Sequence, residues 1–252
     1  MFYKNIKTVF LLIMSVVISA GFFGCVSVGN KENDDTPTDI VDPDDNVGLP
    51  KDLFEIDGDV ISFGFYPQSL ATGEDGQTEL TATPYENYGF GVEIVGGGTY
   101  RFRNEKIKWR IVESSDSGYT AISEKILDAC AFAEIGCTGF ENSLIKRKMD
   151  EIYDAAFSDT EKRYVTLSIP SAGILGSVNA AAEATDYAIA KGLRMWGSDL
   201  EGYERNAAYW LSDEGQFANY FAFVDFNGKT DETGYISNAP YFGVRLIIRI
   251  GL

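Results

Sequence analysis

Short runs of alternating apolar and polar residues cover most of the chain from residue 51 onward, and they predict strands more often than helices. Val60-Ile61-Ser62-Phe63-Gly64-Phe65-Tyr66 reads as a strand that stops at Pro67. Glu93-Ile94-Val95 reads as a short strand leading into Gly96-Gly97-Gly98, a permissive turn, after which Thr99-Tyr100-Arg101-Phe102 alternates polar and aromatic positions. Ile107-Lys108-Trp109-Arg110-Ile111-Val112 repeats the alternation, and Tyr119-Thr120-Ala121-Ile122 follows a Ser/Asp/Gly turn. The pattern is a meander with Trp109 and Ile111 facing a core.

The period then changes. Ile145, Met149, Ile152 and Ala156 recur at three- and four-residue spacing, which predicts a helix over 144–156 capped by Asn142 or Ser143. Ser158-Asp159-Thr160-Glu161 has the form of a capping box opening a short second helix. Val178 to Ala190 is alanine-rich and predicts a third, ended by Gly192, with Thr185-Asp186 able to break it and cap a fresh start. Strands return at Tyr209–Ser212 and Tyr220–Phe226. Asn227-Gly228 supplies a hairpin turn, and Phe242–Ile250 closes the chain as a central strand. The fold class is therefore α+β, with short, mostly antiparallel strands and two or three helices.

The N-terminus follows a different logic. Lys4 and Lys7 precede an uncharged apolar run from Val9 to Ala20, and Gly24-Cys25 follows: basic, apolar, then small, the layout of an export signal. A cysteine directly after a small residue resembles the lipobox of bacterial lipoproteins, although Phe22 and Phe23 stand where an aliphatic and a small residue are usual. A lipidated Cys25, a cleaved signal without lipid and an uncleaved anchor are the three readings. The apolar stretch from Thr8 to Gly24 falls short of the ~20 residues of a comfortable span, which weighs against the anchor. All three place residues 26 onward outside the cytoplasm. Residues 26–50 carry seven acids against Lys31 and no aromatic, so they read as a disordered, extended acidic linker rather than a calcium loop, whose spacing they do not match. The division is thus a signal at 1–25, a linker at 26–50 and one globular domain at 51–252, large enough for a core.

Charge and composition narrow the chemistry. A formal charge of −17 excludes nucleic acid as an expected partner, because phosphate binding needs a basic face. The chain has no histidine, which removes Ser-His-Asp and Cys-His catalysis and histidine-bound zinc. With Cys25 lipidated, Cys130 and Cys137 remain as an even pair around a loop-sized insert, either a disulfide or two free thiols. No metal site or cofactor is expected. The triglycine lacks the lysine-serine pair and helix start of a phosphate loop. Asp225, Asn227 and Asp231 are explained by hairpin chemistry without a cation.

One ordered motif set runs from about Val60 to the C-terminus. It comprises Phe63-Gly64-Phe65-Tyr66-Pro67-Gln68-Ser69, Ile107–Val112, Ser123-Glu124-Lys125-Ile126-Leu127-Asp128, Glu141-Asn142-Ser143 and Tyr153 with Ala156-Phe157-Ser158. Thr185-Asp186-Tyr187-Ala188, Tyr209-Trp210-Leu211 and Gly243-Val244-Arg245 complete it. It resembles a large uncharacterised bacterial family, a domain of unknown function common in exported proteins of gut clostridia and relatives. Phe140 replaces that family's tryptophan, an arginine is missing after Trp210-Leu211, and Leu246 replaces a proline. The closing order is also similar to the end of the formylglycine-generating, sulfatase-modifying fold, a C-type-lectin-like variant. That resemblance implies the architecture without the activity, because no cysteine follows Cys137.

The reading that follows is a membrane-tethered surface lipoprotein with a non-catalytic binding module for a glycan or an envelope or host protein. A carboxylate-based glycoside hydrolase and a structural envelope component are the alternatives. The expected contacts sit on and beside the loop Gly197–Arg205: Trp196, Asp199, Tyr203, Arg205, Tyr209 and Trp210. For each aromatic among them, plain core packing is the competing explanation.

Overall fold

The computed structural model describes residues 53–85, 94–177, 179–197 and 199–251. The expected signal with Cys25, the acidic stretch 26–50, Glu93 and Val178 lie outside the described residues. The chain opens with β1 (Glu55–Asp57), β2 (Val60–Leu70), β3 (Thr78–Thr81), β4 (Thr99–Ser115) and β5 (Gly118–Ser123). β6 (Asp128–Ala129), α1 (Leu144–Ala156), β7 (Val165–Ser168) and α2 (Asp186–Ala190) follow. β8 (Tyr209–Glu214), β9 (Tyr220–Val224), β10 (Thr230–Ile236), β11 (Gly243–Val244) and β12 (Ile247–Gly251) close it. The result is a sheet-rich α+β fold, and among the described residues no helix is long and apolar enough to cross a membrane.

The first sheet has the order β1-β2-β4-β5-β12-β7, with β3 also paired to β4, and every pairing in it is antiparallel. β4 is long enough to hold three partners: β3 takes Thr99–Phe102, β2 takes Phe102–Arg110 and β5 takes Trp109–Ser115. The second sheet runs β10-β9-β8-β11-β6, antiparallel except where Gly243 meets Tyr209 in parallel. The predicted closing strand is therefore two strands in two sheets. Between them Arg245 is buried, its guanidinium donating to the carbonyls of Ser123 and Ala180 and to the Tyr209 hydroxyl.

Strand alternation feeds two cores. Ala121, Trp210, Phe223 and Ile248 enter one, whereas their neighbours Ile122, Tyr209, Val224 and Ile247 enter the other, as pleated strands with both faces covered require. The first core includes Trp109 and the predicted helix face Ile145, Met149, Ile152 and Ala156. Ser143 caps that helix by accepting from the Lys146 N–H at 3.2 Å. Gly64 makes a bulge in β2 at φ +71°, where a Cβ would lie 2.6 Å from the Phe157 ring. That bulge leaves the Phe63 carbonyl to the Trp109 indole N–H, 2.9 Å away.

Two helix expectations change. The capping box forms, with the Ser158 N–H donating to Glu161 Oε2 at 2.7 Å, but it opens only a 3-10 turn at Glu161–Arg163 before β7. Of the alanine-rich segment only Asp186–Ala190 is helical. Thr185 caps it by accepting from the Ala188 N–H, and the Leu193 N–H closes its far end on the Ala188 carbonyl. Residues 182–184 are extended instead, because their backbone groups bond Ile126, Arg205 and Ala207 in flanking segments. Alanine imposes little of its own, so the neighbours' unpaired backbone decides.

Candidate functional site

The aromatics expected to contact a ligand separate by depth. Tyr209 and Trp210 are fully buried, which corrects their assignment as contact residues. The Tyr209 hydroxyl donates to the Ala180 carbonyl at 2.7 Å, while the Trp210 indole donates to the Cys130 carbonyl at 2.9 Å and stacks on Phe242. Arg205 is held by Asp186 at 2.5 Å and by the Ala184 carbonyl, so it braces the start of α2. Tyr203 lies edge-on to Phe226 and remains partly exposed, and Asp199 is exposed. Trp196 is half-buried among Phe223, Tyr235, Tyr241 and Phe242, with the Arg194 guanidinium 5.3 Å from its ring. It reaches a cleft on the β9–β10 hairpin that Asp199, Tyr203 and Arg205 do not line. In that hairpin Asp225 accepts the N–H groups of Asn227 and Lys229, and Asp231 accepts those of Thr233 and Gly234, as turn chemistry predicts.

A different cleft carries the better site. It lies between the loop that leads from β6 to α1 and the turn joining β8 to β9, with a volume of about 480 Å³. The turn is tightly stitched: the Gly215 N–H donates to the Tyr220 carbonyl at 2.8 Å, and the Gln216 N–H to the Thr233 carbonyl at 3.0 Å. A side chain at Gly215 would meet that carbonyl at 2.7 Å. Asn219, left-handed at φ 62°, ties the two walls together. Its side-chain oxygen accepts from the Gly136 N–H at 3.2 Å and its carbonyl from the Ser237 N–H at 2.7 Å.

Aromatic rings line both walls. Phe132 stacks on Phe221 at 3.6 Å and approaches Phe140 nearer the surface, and opposite them Phe217 meets the edge of Tyr220. Phe140 is 37% and Phe217 60% exposed, so both present apolar ring surface at the cleft. Beneath them sits Ser237, only 1% exposed, with both backbone groups bonded and its hydroxyl without a partner. A buried hydroxyl left unpaired costs about 1–3 kcal/mol, and a ligand oxygen or nitrogen in the cleft could recover it. Glu134, Glu214 and Gln216 complete a polar rim.

The cysteines, open between a bridge and two thiols on sequence grounds, are free thiols. Cys137 lines the cleft, whereas burial, with the Asp128 carboxylate adding to it, pushes the Cys130 thiol far above its ordinary range. Asp128 centres an enclosed polar cluster. It accepts from the Tyr66 hydroxyl at 2.8 Å and the Ala129 N–H at 2.7 Å, with the Lys148 ammonium 3.7 Å away. Burial, then Asp128, drives the Tyr66 hydroxyl well above the usual phenol range. Desolvation favours neutral Lys148, but Asp128 and Glu151 outweigh it and hold the ammonium above the ordinary lysine range. The polar groups of Tyr66 and Asp128 are enclosed and already paired with each other, so this cluster is internal bracing.

Sequence reasoning passed over the cleft residues. Phe140 directly before Glu-Asn-Ser and Gly215-Gln216 directly after the strand ending at Glu214 are local signals that could have pointed there, but nothing local marks Ser237. No family model, no curated protein and no solved structure matches the chain, so the geometry of the cleft carries the functional reading by itself.

Proposed function

We propose that this protein is a membrane-tethered surface lipoprotein whose globular part is a non-catalytic glycan-binding module, with the cleft between the β8–β9 turn and the loop before α1 as its site. The observation that carries the reading is the pair of exposed rings, Phe140 and Phe217, above an unpaired buried Ser237 hydroxyl. Sugar rings match that combination: their C–H faces lie on aromatic rings while their hydroxyls bond polar side chains at the edge. Asn219, Gln216 and the two glutamates are placed for the second role. Glu134 and Glu214 are both exposed, which favours binding over hydrolysis, since a proton-donating glycosidase acid is usually kept in an apolar surround.

The tether and the lectin-like architecture belong to the same proposal. Support for the tether is the basic, apolar, Gly24-Cys25 order; Cys25→Ala should move the protein from membranes into the soluble exported fraction, and an unprocessed, membrane-bound mutant would favour an uncleaved anchor. Support for the architecture is the Trp-Leu strand, the hairpin and a Gly-Val-Arg segment that passes from one sheet to the other at the chain's end. Binding is tested on a glycan array with the full chain in a sugar-free detergent, beside Phe217→Ala. Specific binding lost in that variant supports the module. Turnover of a chromogenic glycoside, abolished by Glu214→Gln, would replace it with a hydrolase, and capture of an envelope protein in place of any glycan would replace the ligand class.

A further inference from the structure

We infer that the cleft selects glycans bearing free amino groups, such as chains of de-N-acetylated hexosamine, and rejects anionic glycans; this rests on the glycan reading above. The argument starts from charge at the cleft wall. Glu134 comes from the loop before α1 and Glu214 from the end of β8, so the two carboxylates face the cleft from opposite sides. Neither has an ion-pair partner among the described residues, and no lysine or arginine is among the residues that line the cleft.

Elsewhere in the fold some acids are matched. Arg103 takes Asp75, Lys106 takes Glu55, Arg110 takes both Asp59 and Glu124, and Lys146 takes Asp150. The cleft itself is lined by two acids and by no lysine or arginine, so its field is negative where a ligand enters. A uronate or sialate entering it meets repulsion from both sides. A protonated amine on a sugar ring meets two acceptors while the ring itself keeps the aromatic contacts. Ser237 provides the independent sign that the cleft is built for a polar occupant: it lines the cleft, is only 1% exposed, and its hydroxyl is unpartnered. Charge sets the preference among sugars, and the serine sets the depth to which any of them sits.

Calorimetry on the full chain in sugar-free detergent tests this with three oligosaccharides of equal length: glucosamine, N-acetylglucosamine and a uronate. The titrations are run at about pH 6, where the sugar amine is protonated. Each exposed carboxylate is expected to contribute a few-fold, so glucosamine chains should bind about 3–10-fold tighter than acetylated ones, with uronates weakest. The preference should collapse in about 1 M salt, where screening falls to ~3 Å, and in the Glu134→Gln/Glu214→Gln double variant. Ser237→Ala should weaken all bound sugars alike, about 3–10-fold, without lowering thermal stability, because the hydroxyl holds nothing in the free protein. Equal binding of amino and acetylated chains, or an order that survives the double variant, overturns charge selection and leaves the glycan module standing. No binding of any oligosaccharide overturns the module itself. A Ser237→Ala protein that binds like the parent removes the serine from the site.

Discussion

Replacing Tyr66 with phenylalanine removes a single oxygen from the interior and leaves the ring, edge-on to Tyr187 at 5.6 Å, in place. What is lost is the donor to Asp128, a carboxylate only 1% exposed that otherwise has the Ala129 N–H at 2.7 Å and the Lys148 ammonium at 3.7 Å. A hydrogen bond to a charged group contributes about 1.5–3 kcal/mol, and full burial places this one toward the upper end. Tyr66→Phe should therefore cost about 2–3 kcal/mol at neutral pH, read by urea denaturation with tryptophan fluorescence. The pH dependence supplies a second readout. Tyr66 holds its proton well above the 10.0 of a free phenol, so above that pH the folded state binds more protons than the unfolded one and stability falls. That contribution is fully present below about pH 10 and is lost at up to about 1.4 kcal/mol per further pH unit. Phenylalanine does not titrate. Lys148, also raised, pulls in the same direction in both proteins and cancels in the comparison. The gap between parent and variant should therefore narrow above about pH 10. A loss under about 0.5 kcal/mol at neutral pH, or a gap that widens with alkalinity, would refute the reasoning.

Further outcomes follow from other contacts. Gly64→Ala places a Cβ at φ +71°, 2.6 Å from the Phe157 ring, and should destabilise by about 2–4 kcal/mol in the same urea assay. Ser143→Ala removes the cap of α1 and should cost about 1 kcal/mol, with faster hydrogen exchange confined to the helix's first turn. In maleimide labelling followed by peptide mass analysis, Cys137 should react about tenfold or more faster than Cys130, whose thiol is held protonated by burial. A pair that labels only after reduction would reinstate the disulfide.

The parts of this fold that the sequence determined by itself are those whose physics is local. Ile145, Met149, Ile152 and Ala156 must share a face once Ser143 starts a helix, because 3.6 residues per turn and a capped N–H need no distant partner. Asn227-Gly228 turns the β9–β10 hairpin for the same reason: Asp225 and Asn227 each bond a backbone N–H two residues on. Trp109 was legible as core because alternation fixes which strand face it occupies. Tertiary structure decided whatever depends on a partner far along the chain. Whether Tyr209 and Trp210 faced a ligand or a core turned on both faces of β8 being covered, and strand alternation by itself cannot report a second cover. The extended course of residues 182–184 was set by open backbone groups on Ile126 and Arg205, not by alanine's helix propensity. The candidate site lay deepest in this second category. Ser237 is an ordinary serine until the fold brings Asn219 and Ala133 to its backbone and nothing to its hydroxyl, because a hydrogen bond left unmade is a property of the whole surround.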